Sequence, residues 1–93
     1  SSIDDFNFYN DLGKCFKTLF DNGIYNIDMN IKNIIYNTLN KKITFIDFDK
    51  LIIDPSKKND TKYINIVLGK FKKSLGKFNL DNKFIWSKFI SRL

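Results

Sequence analysis

The chain has 93 residues and a formal net charge of +6, which bounds it to one small basic domain. It contains no Ala, Glu, Gln or His and only one Cys. Those absences exclude the usual general base, the commonest metal ligand, an intrachain disulfide and any multi-cysteine zinc centre.

The first element is a helix from about Asp4 to Phe20. Phe8, Tyr9, Leu12, Cys15, Phe16, Leu19 and Phe20 recur at helical spacing on one face. Ser2 and Asp5 are placed to cap its start, and Asp21-Asn22-Gly23 to stop it. Cys15, on the apolar face, reads as a buried structural thiol. A second helix is expected from about Ile27 to Leu39, with Asn26 as N-cap and Ile27, Ile31, Ile34, Ile35 and Leu39 as its stripe. Its β-branched content makes it intrinsically weak. After the break at Asn40-Lys41-Lys42, Ile43-Thr44-Phe45 reads as a short extended stretch. Phe45, Phe48, Leu51 and Ile52 then suggest a short helix from about Asp47 to Ile53, ended by Pro55. The polar run to Asp60 reads as a flexible linker. A fourth helix follows from about Thr61 to Lys77, capped by Asp60, with Ile64, Val67, Leu68, Phe71, Leu75 and Phe78 as its apolar face. The last runs from about Asn82 to Arg92, capped by Asp81.

Residues 12–19 and 68–75 share the pattern L-G-K-x-x-K-[ST]-L. Two related helix–loop–helix halves packed face to face would account for it, with Gly13 and Gly69 as points of close helix approach. The predicted fold is therefore all-α: a compact bundle of four to five short helices with at most one very short extended segment. Phe16, Phe48, Phe71 and Phe89 are the expected core aromatics. Residues 1–93 read as a single helical domain, and the absence of an initial Met fits excision from a longer protein. The lack of disulfides fits an intracellular compartment.

Two stretches resemble known families. Ile46-Asp47-Phe48-Asp49, an Asp beside Phe after an apolar stretch, is similar to the metal-binding Asp of kinase-like enzymes. Against that stand the missing Gly-rich phosphate loop, the short chain, and the helix expected here, on which residues i and i+2 diverge. A solvated acidic face is the expectation. Ile43 to Ile52 resembles the strand and exit helix of an EF-hand in the calmodulin and myosin light-chain family, and Tyr63-Ile64-Asn65 resembles the strand of a second. Thr38, Leu39, Asn40, Lys41 and Lys42, just before Ile43, offer no carboxylate, and the chain lacks the bidentate Glu of a calcium loop. The resemblance thus implies a degenerate, non-calcium-binding module. No cofactor or metal is expected.

Charge is unevenly spread. Residues 1–54 carry six Lys against eight Asp, a net −2. Residues 55–93 carry nine Lys and one Arg against two Asp, a net +8. Lys70, Lys73 and Lys77 share one face of the fourth helix with Lys72 at its edge, and Lys83 and Lys88 extend the basic half. These six lysines are the candidate partner-binding residues. A basic amphipathic helix can meet an acidic protein, nucleic acid or an anionic membrane surface. The near absence of Arg, the preferred reader of phosphate and guanine, argues against nucleic acid. The Lys-for-Arg preference also fits an AT-rich codon set, so it need not reflect a partner at all. The expected function is a non-enzymatic protein-interaction or assembly module, with nucleic-acid binding as the alternative. No apolar run is long enough to span a bilayer.

Overall fold

A computed structural model describes residues 5–93, with side chains from residue 7 onward. It holds three helices, α1 (Asp5–Asp21), α2 (Thr61–Gly76) and α3 (Lys83–Ile90). Between α1 and α2 lie four short strands, β1 (Ile24–Asn26), β2 (Ile34–Asn37), β3 (Lys42–Phe45) and β4 (Leu51–Ile53). The strands form two antiparallel ladders, β1 with β4 and β2 with β3. The all-α expectation is therefore overturned, and with it the pair of face-to-face helical halves.

The helices expected over 27–39 and 47–53 are the two failures, and both have local causes. Asn26 Oδ1 accepts the Asp28 N–H, and Asn30 Oδ1 accepts the Lys32 N–H. Each side chain closes an Asx turn that competes with a helix. Ile34 and Tyr36 then face inward while Ile35 and Asn37 are exposed, the two-residue period of a strand rather than the helical one. β-branched side chains favour that outcome. Further on, Asp47 takes a left-handed φ of 64°, which stops a helix at its first residue. Leu51, Ile52 and Ile53 instead pair with Asn26, Tyr25 and Ile24. The EF-hand elements consequently do not exist: 47–53 is no exit helix, and Tyr63-Ile64-Asn65 lies inside α2. The short extended reading at Ile43-Thr44-Phe45 corresponds to β3.

The three long-range helical assignments at 4–20, 61–77 and 82–92 match α1, α2 and α3 to within a few residues. Asp60 caps α2, its carboxylate accepting from the Lys62 and Tyr63 N–H groups. The cap of α3 is Asn82, not Asp81, accepting from Ile85 N at 2.9 Å. The cap proposed at Ser2 lies outside the described residues.

The core is aromatic and centred on Phe16. Its ring lies 4.9 Å from Phe89 of α3, 5.1 Å from Phe71 of α2 and 6.1 Å from Phe45 of β3. One side chain thus joins four elements. Aromatic pairs of this kind add to area burial. Phe16, Phe71 and Phe89 are fully buried as expected, but Phe48 is 52% exposed, because its segment is a loop and not a helix. Cys15 is half-buried, and burial, with the nearby Asp11 carboxylate second, raises its thiol pKa. That favours the protonated thiol over the nucleophilic thiolate.

The glycines of the repeat are not equivalent. A Cβ at Gly13 would overlap the Phe89 carbonyl oxygen and sit 2.9 Å from Arg92 Cβ, so α1 and α3 approach closely there. Gly69 faces open space. The polar run 54–60 is no flexible linker. Asp54 caps a 3₁₀ turn at Pro55–Lys57, and Asn59 N–H donates to the Phe20 carbonyl. The buried Tyr25 hydroxyl donates to the Lys57 carbonyl and accepts from Asp60 N–H, with its ring stacked between Phe20 and Tyr63.

Candidate functional site

The two ladders are linked by two crossings of the chain. The first runs from β1 through Ile27–Asn30 and a 3₁₀ turn at Ile31–Asn33 into β2. The second runs from β3 through Ile46–Lys50 into β4. Backbone hydrogen bonds hold the crossings together: Ile46 N–H donates to Asn33 O at 2.9 Å, and Ile27 N–H to Lys50 O at 3.2 Å. Polar residues from both then line one cleft of about 70 Å³, formed by Asn26, Asp28, Asn33, Asp47, Asp49 and Lys50. That volume has room for a cation with a few waters.

The first crossing is fixed to the helical layer by one buried residue. Ser74 of α2 is 3% exposed. Its Oγ accepts the Ile31 N–H at 2.9 Å and donates to the Phe71 carbonyl at 2.7 Å. Buried Asn26, through its bond to Asp28 N–H, sets the start of the same loop. The left-handed Asp47 turns the second crossing where that crossing lines the cleft.

Asp28 and Asn33 are separated by four residues, the Asp-x-x-x-x-Asn spacing of a protein-kinase catalytic loop. Asp47-Phe48 opens the second crossing as the metal-binding Asp-Phe does in such enzymes. The chain departs from that pattern in three places. Asn26-Ile27 stands where His-Arg would precede the Asp, Asp49 replaces the Gly after Asp-Phe, and no Gly-rich phosphate loop is present. The helix on which Asp47 and Asp49 were expected to diverge is absent, and both residues line the one cleft. Among the described residues, no three His, Cys, Asp or Glu side chains are gathered closely enough to hold a metal by themselves. A divalent cation here would depend on Asp47, Asn33 and oxygens brought by its ligand, the way magnesium is commonly held.

The six lysines singled out by charge do not form one patch. Lys70, Lys72, Lys73 and Lys77 are exposed. Helical spacing puts Lys70, Lys73 and Lys77 along one flank of α2, three and four residues apart. Lys72 lies across the buried stripe, its Nζ 5.1 Å from the Trp86 ring centroid. On α3, Lys88 Nζ lies 5.8 Å from the Phe84 ring, and Lys83 is exposed in the first turn. Lys73 and Lys77, at the C-terminal end of α2, also complement the helix dipole.

Sequence reasoning missed the convergence of Asp28 and Asn33 on Asp47. The Asp-x-x-x-x-Asn spacing was the available signal, and the false helix over 27–39 hid it. No protein-family model, curated protein or solved structure matches the chain. No helix among the described residues is long and apolar enough to cross a membrane.

Proposed function

We propose that this chain supplies the base-and-metal half of a phosphoryl-transfer site, with a phosphate-covering element contributed from elsewhere. The observation that carries the reading is the single cleft lined by Asp28, Asn33 and Asp47. Asp47 and Asn33 would hold a magnesium ion, which when bound neutralises charge on the phosphate groups. Asp28 would orient an acceptor hydroxyl and take its proton, the task of the catalytic-loop Asp in kinases. Lys50, on the cleft wall, offers positive charge to a phosphate oxygen. Phosphoryl transfer asks mainly for positioning and electrostatic stabilisation, and oxygen ligands with a nearby cation are suited to that.

The test is a titration with manganese-loaded ATP followed by NMR. Paramagnetic broadening confined to the amides around Asn33 and Asp47, and lost in Asp47→Ala, is the expected result. Broadening spread evenly over the acidic surface, or unchanged in Asp47→Ala, would refute the reading.

A second reading, protein binding through the basic flank of α2, is favoured by a different observation. An apolar groove lies at the end of that helix, with Lys32 on its wall and Lys77 next in the chain to its Phe78. A solvated helix face would not need such a neighbour. Nucleic acid would engage the same lysines through phosphate charge alone.

A further inference from the structure

The groove at the C-terminal end of α2 carries more than its charge. Helix α2 closes with a Schellman motif: Leu80 N–H donates to Leu75 O at 2.9 Å, Asn79 N–H to Gly76 O at 3.2 Å, and Asn79 has φ 58°. The closure turns Leu80 back toward the core and leaves Phe78 outside, 55% exposed. Across from them stands Ile31, held against α2 by the Ser74 bond. Ile31, Phe78, Leu80 and the stem of Lys32 enclose a shallow groove of about 310 Å³ with almost wholly apolar walls. A single exposed Phe is ordinary on a protein surface, and here two fixed turns set it beside Ile31 and Leu80.

The rim is basic. Lys32 lies on the wall, and Lys77 precedes Phe78 in the chain. Ser74 is the edge of α2 that meets Ile31. Lys70 and Lys77, four residues before and three after it, lie on that same edge, with Lys73 beyond. None of Lys32, Lys70, Lys73 and Lys77 is held in an ion pair among the described residues. The nearby acid, Asp81, folds its carboxylate against Gly76, 3.1 Å from where a Cβ would stand.

We infer that this groove docks an acidic protein segment that inserts one aromatic or branched aliphatic side chain between Ile31, Phe78 and Leu80. The inference rests on the protein-binding reading above and names its site and partner chemistry. The apolar walls would supply the anchor energy, and the lysine rim the charge complementarity and approach rate. A purely electrostatic partner such as nucleic acid leaves the apolar walls unused.

The probe is a fluorescein-labelled peptide, Asp-Asp-Trp-Asp-Asp-Leu-Asp-Asp, followed by fluorescence anisotropy at about 150 mM salt, where exposed charges act over only about 8 Å. Saturable binding is expected. Phe78→Ser and a peptide with Ala for Trp and Leu should each weaken it about tenfold or more, as loss of a buried anchor does. The peptide change leaves the protein untouched, so the test does not depend on the folding of Phe78→Ser. Replacing Lys57 and Lys58 by Gln removes two charges at the other end of α2, about 24 Å away, and should change affinity less than about twofold. Equal binding of both peptides, and of wild type and Phe78→Ser, would overturn the groove while leaving the basic-face reading intact. No saturable binding of either peptide would overturn both. An oligouridine of twelve nucleotides that displaces the peptide at the same salt would overturn the proposal in favour of nucleic acid.

Discussion

Ser74→Ala tests whether one buried hydroxyl holds the first crossing in place. The substitution removes the acceptor of the Ile31 N–H and a donor to the Phe71 carbonyl. The carbonyl keeps its helical partner four residues on and loses little. The Ile31 N–H is left beside a residue that is 3% exposed, where water cannot readily replace the lost oxygen. An orphaned donor costs about 1–3 kcal/mol, and the better helix propensity of Ala returns about 0.5 kcal/mol. The net loss is then about 1–2 kcal/mol, or a drop in Tm of about 4–16 °C for a domain this size. Differential scanning calorimetry reads the first, and amide hydrogen exchange locates it. Exchange should accelerate at Ile31 and its neighbours more than at Phe45 or Phe89. Broadening of Asn33 by manganese-loaded ATP should weaken in parallel, because Asn33 closes the same turn. Ser87→Ala, at an exposed position of α3, serves as control. A Tm within about 1 °C of wild type, with Ile31 exchange unchanged, would refute the link between Ser74 and the loop.

Three further outcomes are expected. Gly69→Ala should stabilise by up to ~1 kcal/mol, since its Cβ enters open space, whereas Gly13→Ala should destabilise by roughly 1–3 kcal/mol against the α3 backbone. Thermal melts shifting the same way for both would contradict the packing described. Phe71→Ala should cost about 3–5 kcal/mol in urea denaturation and Phe48→Ala under about 1 kcal/mol, because only the first is buried. Comparable losses would mean the loop 46–50 is packed differently. The Asp54 carboxylate is held below its ordinary pKa by the hydroxyl and N–H of Ser56. Its contribution is therefore full above the ordinary carboxylate value of about 3.9 and fades as pH falls through the lowered one. Asp54→Asn keeps a capping oxygen but cannot titrate, so the stability gap to wild type should close in acid. A gap independent of pH would remove Asp54 from the acid response.

The sequence by itself determined the three helices, because each carries an apolar stripe long enough to distinguish a period of 3.6 from any other. It also determined Phe16, Phe71 and Phe89 as core, and the exclusion of disulfide and multi-cysteine metal chemistry. The short span between α1 and α2 was not legible in this way. Ile27, Ile31, Ile34, Ile35 and Leu39 fit a helical stripe on paper, but strands of three or four residues are too short for periodicity to separate them from a helix. What decided that span was tertiary: Ile24–Asn26 found Leu51–Ile53 as a partner, and Ser74 found the Ile31 amide across 43 residues. Charge gave a list of lysines and no geometry, and only packing showed Lys72 over Trp86, away from the flank of α2 that carries Lys70, Lys73 and Lys77. The candidate cleft shows the same division. Asp28, Asn33 and Asp47 are in plain view in the chain, but their meeting depends on two backbone crossings. Those crossings are fixed by hydrogen bonds between segments distant in sequence, and no local propensity encodes such bonds.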